Sequence, residues 1–414
     1  MQGCWELEAG CGAARAGVLV ARDGTCLPTP LFQPVATAGS LRTLDWADVQ
    51  RLGYRHVLMN TYHLVVRPGV EALSRAGGVK AFTGWGGSVL TDSGGYQAYS
   101  LAPRRTVKPD GIHFTDHIAG GRWHFTPRFT LEAQLAFGVD FAMCLDVCTG
   151  LPAARKQVAR DMALTHAWAA QQAQLWPELA GESQKAEVRR QKSKQSGAHF
   201  ERSTQHESSS LLTSDFSLLP SRLFGIVQGG LEEDLRRESA EYVAALPFDG
   251  LAVGGLAVGE AREDFLRLSA FCGPLLPAGR VRYLMGVGEP ADLLHAIAHG
   301  FDMFDCVQPT RMARHGLAYT RNGKLALRNA RFTQDARPLD PGCRCVVCRR
   351  YSRAYLRHLL VLSEHSYARL LTLHNLAFYR ELLARARRRI VAGTYSPWWH
   401  KAYEKLHRQL PDAL

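Results

Sequence analysis

Three cysteines fall within six residues, Cys343, Cys345 and Cys348 in CRCVVC, directly after the turn-forming pair Pro341 and Gly342. Thiols crowded this closely call for a cation. Tetrahedral Zn²⁺ suits them, with sulfur ligands at about 2.3 Å. A structural zinc takes four ligands, so one more has to come from further along the chain. His374, in LLTLHNLAF, stands on a predicted helix that supplies it, and His358 and His365 are competitors on the same stretch. Full protein ligation makes such a metal structural, because a catalytic zinc keeps one position open for water. The other seven cysteines (Cys4, Cys11, Cys26, Cys144, Cys148, Cys272 and Cys306) are scattered, too sparse for a disulfide framework. Their pattern is that of a reducing compartment.

A second group of chemically able residues stands where short apolar runs stop. The runs are HVLMN (56–60), SVLTDSGG (88–95), FAMCLD (141–146), RLFGIVQGG (222–230), GLAVGGL (250–256), RYLMGVG (282–288) and MFDCVQPT (303–310). At their C-terminal ends lie Asn60, Asp92, Asp146, Gln228, Gly255 and Asp305. Taken singly, each fits a helix cap or a turn residue. Taken together they fit one mouth, because barrel enzymes build their sites from the C-terminal ends of parallel strands.

The elements that would position them follow from the same pattern. Apolar runs of four to eight residues bounded by glycine read as buried strands. Between them lie helical stretches such as LPAARKQVARDMALTHAWAAQQAQLW and LEEDLRRESAEYVAAL. Strands alternating with helices imply a parallel sheet, and this many units favour a closed (β/α)₈ barrel, an α/β fold, over an open sheet. No G-x-G-x-x-G opens a helix after an early strand, which argues against a dinucleotide-binding fold.

With 414 residues the chain has ample length to bury a core, and 50 Lys+Arg against 38 Asp+Glu leave a formal charge of +12. That balance is compatible with a nucleic-acid partner without requiring one. No apolar run is long enough to span a membrane, and the N-terminal residues lack the pattern of a secretory leader, so a cytoplasmic protein is expected. Residues 181–216 are rich in Ser, Gln and charge and read as a flexible surface insertion. Arg189, Arg190, Lys192 and Lys194 within it suit either RNA contact or simple solvation. The expected organisation is a barrel body over 1–335, a zinc-binding subdomain over 336–380 and a basic helical segment over 381–414.

The motifs NTYHLVVRPG (60–69), TDSGGYQ (91–97), VQGG (227–230), AVGGLAVGE (252–260), YLMGVG (283–288) and FDCVQPTRMARHG (304–316), followed by CRCVVC and His374, together resemble the tRNA-guanine transglycosylases of bacterial type. The resemblance runs from about residue 15 to 400, broken only at 181–216. It implies a (β/α)₈ barrel carrying a zinc subdomain, one structural Zn²⁺ held by Cys343, Cys345, Cys348 and His374, and a homodimer. It also implies exchange of guanine at wobble position 34 of GUN-anticodon tRNAs for a 7-deazaguanine, without breaking the backbone. Asp305 then corresponds to the nucleophile on the ribose C1′ and Asp92 to the general acid/base. Ser93, Asp146, Gln228, Gly255 and Leu256 correspond to base-recognising positions, and Tyr96 and Met285 to the faces that sandwich the heterocycle. Arg311 and Arg314 match arginines near the site, suited to phosphate contact or to pairing with a carboxylate.

Three positions depart from the family pattern. Gln308 replaces a hydrophobic residue, Gly230 a serine common in bacterial members, and Glu289 a frequent lysine that contacts the anticodon loop. Val258 and Cys148 match the bacterial branch, which implies 7-aminomethyl-7-deazaguanine as the incoming base, unless Val258 simply packs into the barrel core. Two alternatives are a queuine-salvaging transglycosylase and a non-catalytic RNA-binding paralogue. The presence of Asp92, Asp146 and Asp305 argues against the paralogue. An archaeal-type enzyme with extra C-terminal RNA-binding domains does not fit the short stretch after His374.

Overall fold

The computed structural model describes residues 4–101, 104–201 and 219–407. Its centre is a ring of eight parallel strands: β1 (Leu31–Pro34), β2 (His56–Met59), β3 (Ser88–Thr91), β4 (Phe141–Met143), β5 (Arg222–Val227), β6 (Gly250–Val253), β7 (Val281–Leu284) and β8 (Met303–Cys306). They neighbour one another in the order β1-β8-β7-β6-β5-β4-β3-β2. A single parallel bridge, Val35 to Leu58, closes the ring, and the Ala36 N–H donates to the Leu58 carbonyl at 2.7 Å. The α/β barrel expected from the sequence is therefore present, and the seven apolar runs supply β2 to β8. Every residue of β2, β3, β4, β6 and β7 is buried, as befits parallel strands covered on both faces.

Buried carboxylates tie the N-terminal ends of the strands together. Asp140 accepts from the Val89 N–H at 2.8 Å and the Arg22 N–H at 3.2 Å, and pairs with Lys80 at 2.6 Å. Asp302 accepts from the Arg282 N–H at 2.8 Å and pairs with Arg15 at 3.1 Å. These ties lie at the end of the barrel opposite the mouth, where such residues serve stability.

Three additions surround the barrel. An antiparallel sheet precedes β1 (Trp5–Cys11, Ala14–Val20, Cys26–Thr29), and a second lies between β3 and β4 (Arg104–Lys108, Gly111–Thr115, Arg122–Phe125). After β8 come helix Gln308–Arg314, the hairpin Leu317–Thr320/Gly323–Ala326, and helices Val346–Arg350, Arg353–Val361, His365–Val391 and Tyr395–His407. Helix His365–Val391 runs unbroken past residue 380 and packs on β1, the N-terminal sheet and the hairpin together. No described helix is long and apolar enough to cross a membrane.

The insertion differs from the expectation in part. Residues 181–201 are not a loop but continue the helix Arg155–Glu201, whereas 202–216 lie outside the described residues. The stretch GESQKAEVRRQKSKQ is polar yet built largely from strong helix formers, and polarity alone had read as loop. Arg189 is exposed; the side chains of Arg190, Lys192 and Lys194 lie outside the described residues.

Candidate active site

Asn60, Asp92, Asp146, Gln228 and Gly255 all follow the C-terminal ends of their strands, and Asp305 lies in the last turn of β8, so one mouth collects them. Asp92 is buried. Its Oδ2 accepts from the Asn60 amide at 2.5 Å and its Oδ1 from the Thr61 N–H at 2.8 Å. The Thr61 hydroxyl in turn donates to the Asp92 carbonyl at 2.5 Å. Burial raises the Asp92 carboxyl to about 6; the Asn60 and Thr61 donors oppose that rise and the Asp305 charge adds to it.

Asp305 is half-buried. Both of its hydrogen bonds among the described residues go to Oδ1, from the Tyr283 hydroxyl at 2.5 Å and the Gly286 N–H at 2.8 Å. Burial raises its pKa and these two donors work against the rise. The Tyr283 phenol, between burial and the charges of Asp305 and Asp92, is held well above its ordinary value. It therefore remains a donor at any physiological pH.

Asp146 is clamped by Ser93 on one oxygen (3.2 Å) and the Gln228 amide on the other (2.7 Å). The Gln228 N–H donates to Ser239 at 3.1 Å, and the Ser239 hydroxyl also meets His166 at 3.0 Å. Gly255 has φ +66°, and a Cβ at Gly254 would come within 2.7 Å of the Gln228 amide nitrogen, so both glycines are demanded by the fold around Gln228. Fully buried Arg236 donates to the carbonyls of Gly230, Gly254 and Gly255 and fixes two mouth loops against each other.

Leu256 is buried, while Tyr96 remains 45% exposed at the rim. Met285 follows β7 directly and is half-buried. Val258 is half-buried in the loop after β6 and takes no part in the buried core, so the reading in which it packs into the barrel fails. The loop is strapped by Glu260, which accepts from the N–H groups of Ala257 (2.5 Å) and Val258 (3.0 Å). Arg311 and Arg314 lie on helix Gln308–Arg314. Burial and the charges of Arg42 and Arg311 push the Arg314 pKa down, and its Nη1 is buried without a partner. No carboxylate pairs with either arginine among the described residues.

The two departures Gln308 and Glu289 touch. The Gln308 amide donates to Glu289 at 2.9 Å, and Lys324 of the hairpin pairs with the same oxygen at 2.8 Å. A cation is thus present beside this loop, supplied by a different element.

The four expected metal ligands converge. His374 Nδ1 lies 3.9, 3.6 and 3.3 Å from the sulfurs of Cys343, Cys345 and Cys348. Its Nε2–H donates to the Tyr319 carbonyl at 2.8 Å, which leaves Nδ1 as the unprotonated ligand nitrogen. The backbone N–H groups of Cys345 and Cys348 point at the sulfurs of Cys343 and Cys345, at 3.5 and 3.4 Å. His358 and His365 are exposed and outside the cluster. Three thiols and one oriented imidazole at these spacings fit a tetrahedral metal.

A family model described as Queuine tRNA-ribosyltransferase matches residues 11–408. The chain belongs to the queuine tRNA-ribosyltransferase family. With it the chain falls among the tRNA-guanine transglycosylases, EC 2.4.2.29. It is 41% identical over 394 residues to the queuine tRNA-ribosyltransferase of Koribacter versatilis, covering 95% of each chain. Against that of Sorangium cellulosum it is 45% identical over 387 residues, 93% of this chain and 87% of the relative. Several supporting residues of this queuine tRNA-ribosyltransferase family member escaped the sequence reading. Tyr283 sits inside a recognised motif but reads as core, and Arg236 reads as one more surface charge in LEEDLRRESAEYVAAL. Asn375, whose amide accepts from the Tyr319 N–H and donates to the Pro309 and Leu317 carbonyls, was overshadowed by its neighbour His374.

Proposed function

We propose that this transglycosylase replaces guanine at position 34 of GUN-anticodon tRNAs, those for aspartate, asparagine, histidine and tyrosine, with 7-aminomethyl-7-deazaguanine. The observation that carries the reading is the gathering of three carboxylates, Asp92, Asp305 and Asp146, at one barrel mouth, each held there by its own donors. Asp305 Oδ2 attacks C1′ as the C1′–N9 bond breaks, giving a covalent ribosyl ester, as in retaining glycosidases. Asp92 gives the departing guanine its proton and takes one from N9 of the incoming base, whose nitrogen then displaces Asp305. Configuration at C1′ is retained and the proton count balances. A carboxyl titrating near 6 serves both directions at neutral pH.

Asp146 accepts from the N1 and N2 donors of the base while Gln228 and the backbone of Gly255 and Leu256 supply donors to its oxygen. Ser93 holds Asp146, and Tyr96 and Met285 flank the ring. Arg311 and Arg314 receive the RNA phosphates. The Cys343, Cys345, Cys348 and His374 set holds Zn²⁺ as a structural ion that fixes the subdomain; the protein works in the cytoplasm as a homodimer.

Val258, outside the core in the loop beside this pocket, supports the aminomethyl base over queuine. A branched side chain crowds a cyclopentenediol, and overpacking a rigid site costs about 1–3 kcal/mol. Incubation with guanine-34 tRNA and each base, read by nucleoside mass spectrometry, tests the proposal. Incorporation of the aminomethyl base in preference to queuine is expected, and Val258→Gly should raise queuine use. Equal use of both bases by the wild type would reject the substrate assignment.

A further inference from the structure

Helix His365–Val391 brings Tyr379 against the loop that serves Asp305. Tyr379 is fully buried, its ring packed on Phe32 of β1 (centroids 4.7 Å apart) and edge-on to Tyr319 of the hairpin (5.4 Å, 82°). A phenol so placed needs a partner for its hydroxyl. The hydroxyl donates to the carbonyl of Gly288, itself buried and with no other donor among the described residues. Burial, with Tyr319, Glu289 and Cys306 nearby, holds the phenol well above its ordinary value, so it stays a donor.

Gly288 lies in the stretch MGVGE, residues 285–289, between β7 and helix Pro290–Ala298. The stretch is tied at both ends. The Met285 N–H donates to the Val253 carbonyl at 3.2 Å, and Glu289 is held by Gln308 and Lys324. Between these ties Gly286 turns the chain at φ +74° and offers its N–H to Asp305 at 2.8 Å. Gly288 is wedged against the residue that follows Asp305: a Cβ there would meet Cys306 Cβ at 2.4 Å and its sulfur at 2.8 Å. Contact with Cys306 and the Tyr379 hydroxyl together fix Gly288, two residues from the N–H that meets Asp305. Tyr379 stands on a helix that is itself anchored. The Tyr54 hydroxyl donates to the Leu376 carbonyl at 2.9 Å, His374 to the Tyr319 carbonyl at 2.8 Å, and Asn375 to the Pro309 and Leu317 carbonyls at 3.0 Å each.

We propose that Tyr379 is a positioning residue for the nucleophile: through Gly288 it fixes the Gly286 N–H against Asp305 without touching base or ribose. The inference rests on the reading of Asp305 as the group that attacks C1′. Without the hydroxyl the Gly288 carbonyl is left buried and unpaired, and the stretch relaxes to find it a partner. The Gly286 N–H then drifts from Asp305, and a carboxylate held less firmly reaches the attacking geometry less often. Binding of base and tRNA, which Tyr379 does not touch, is left in place.

The test is Tyr379→Phe in the full chain, which removes one hydroxyl and keeps the ring packed on Phe32 and Tyr319. Single-turnover formation of the covalent tRNA complex at saturating tRNA should slow by about tenfold, with KM for tRNA and for the base little changed. Tyr395→Phe is the matched control. It loses a buried hydroxyl bond of the same kind, to the Leu294 carbonyl at 2.8 Å in helix Pro290–Ala298, and should lower the thermal midpoint without slowing the step. Rates are compared below the thermal midpoints of both variants, so that unfolding does not enter. A Tyr379→Phe rate equal to wild type, a rise in KM that accounts for the loss, or an equal slowing in Tyr395→Phe would each overturn the proposal. Asp305→Asn separates it from the reading beneath it. Complex formation surviving in that variant rejects Asp305 as nucleophile and the proposal with it; its loss there, with Tyr379→Phe at the wild-type rate, rejects the role of Tyr379 alone.

Discussion

At the scale of single residues, the mouth separates two carboxylates by their hydrogen bonds. Asp305 receives both donors on one oxygen, which leaves the other without a hydrogen bond among the described residues. Asp305→Asn keeps the shape and removes the proposed nucleophile, and should abolish any covalent tRNA complex on denaturing gels; trapping at wild-type levels would refute the assignment. Asp92 is set apart by burial, which lifts it to about 6. Capture of the incoming base needs its ionised form, and that form fills as pH rises through 6. The exchange rate with base at limiting concentration should therefore climb across roughly pH 5–7, about tenfold per unit on the acid side for a single ionisation. Asp92→Asn should flatten that limb along with lowering the rate. A limb that survives in the variant belongs to another group.

Elements decide whether those residues stay aimed. Gly286, which donates to Asp305, precedes Glu289 by three positions in one loop, and Glu289 is gripped by Gln308 and Lys324 from two other elements. Glu289→Ala releases the grip while touching neither base nor ribose. Its expected signature is a lower kcat with little change in KM for the base, and Lys324→Ala in the same background should add little, because the pair is already broken. Additive losses would show that the contact is not coupled. The metal-binding elements allow a parallel test: Cys345→Ser or His374→Ala should release the ion, measured by elemental analysis, and lower the thermal midpoint of the subdomain, since the hairpin is tied to helix His365–Val391 through His374 and Asn375. What the sequence revealed at this scale follows from the strength of local signals. Strands β2 to β8 were visible because each lies in a short, mainly apolar run ended by glycine or a polar residue. Strand β1, LFQP, was missed: it is four residues long, with Gln33 in its middle and Pro34 at its end. Gln33 points inward to meet His56 at 2.7 Å, a tertiary contact that no periodicity announces. The inserted sheet was missed for a related reason, because its strands are short and mix polar with apolar residues, as loops do. The metal quartet was legible because three of its ligands are local, whereas the Glu289–Gln308–Lys324 contact joins residues whose proximity only the fold creates.

For the whole molecule the question is how a chain of charge +12 spends its positive surface. Several arginines are committed: Arg236 holds loop carbonyls, Arg15 pairs with Asp302, and Arg262 pairs with Asp292 at 2.7 Å. Arg314 is different. Burial, and after it the like charges of Arg42 and Arg311, depress its pKa, and it has no carboxylate partner among the described residues and one buried nitrogen unsatisfied. An anion arriving here is attracted by the neighbouring guanidinium groups, and a phosphate oxygen can satisfy the stranded Arg314 N–H. Tight tRNA binding should accordingly fall steeply with salt, whereas binding of the small base, which carries no phosphate, should hardly change. Each arginine that meets a phosphate of the single-stranded anticodon loop contributes about 0.7 to the slope of log K against log salt. Arg311→Ala and Arg314→Ala should each reduce the slope by about that amount and raise KM for tRNA, with KM for the base and the covalent step at saturating tRNA left near wild type. The control is Arg262→Ala, on an arginine already neutralised by Asp292, which should leave the slope unchanged. Equal slopes in all three variants would place the RNA backbone elsewhere on the molecule and remove Arg311 and Arg314 from the interface.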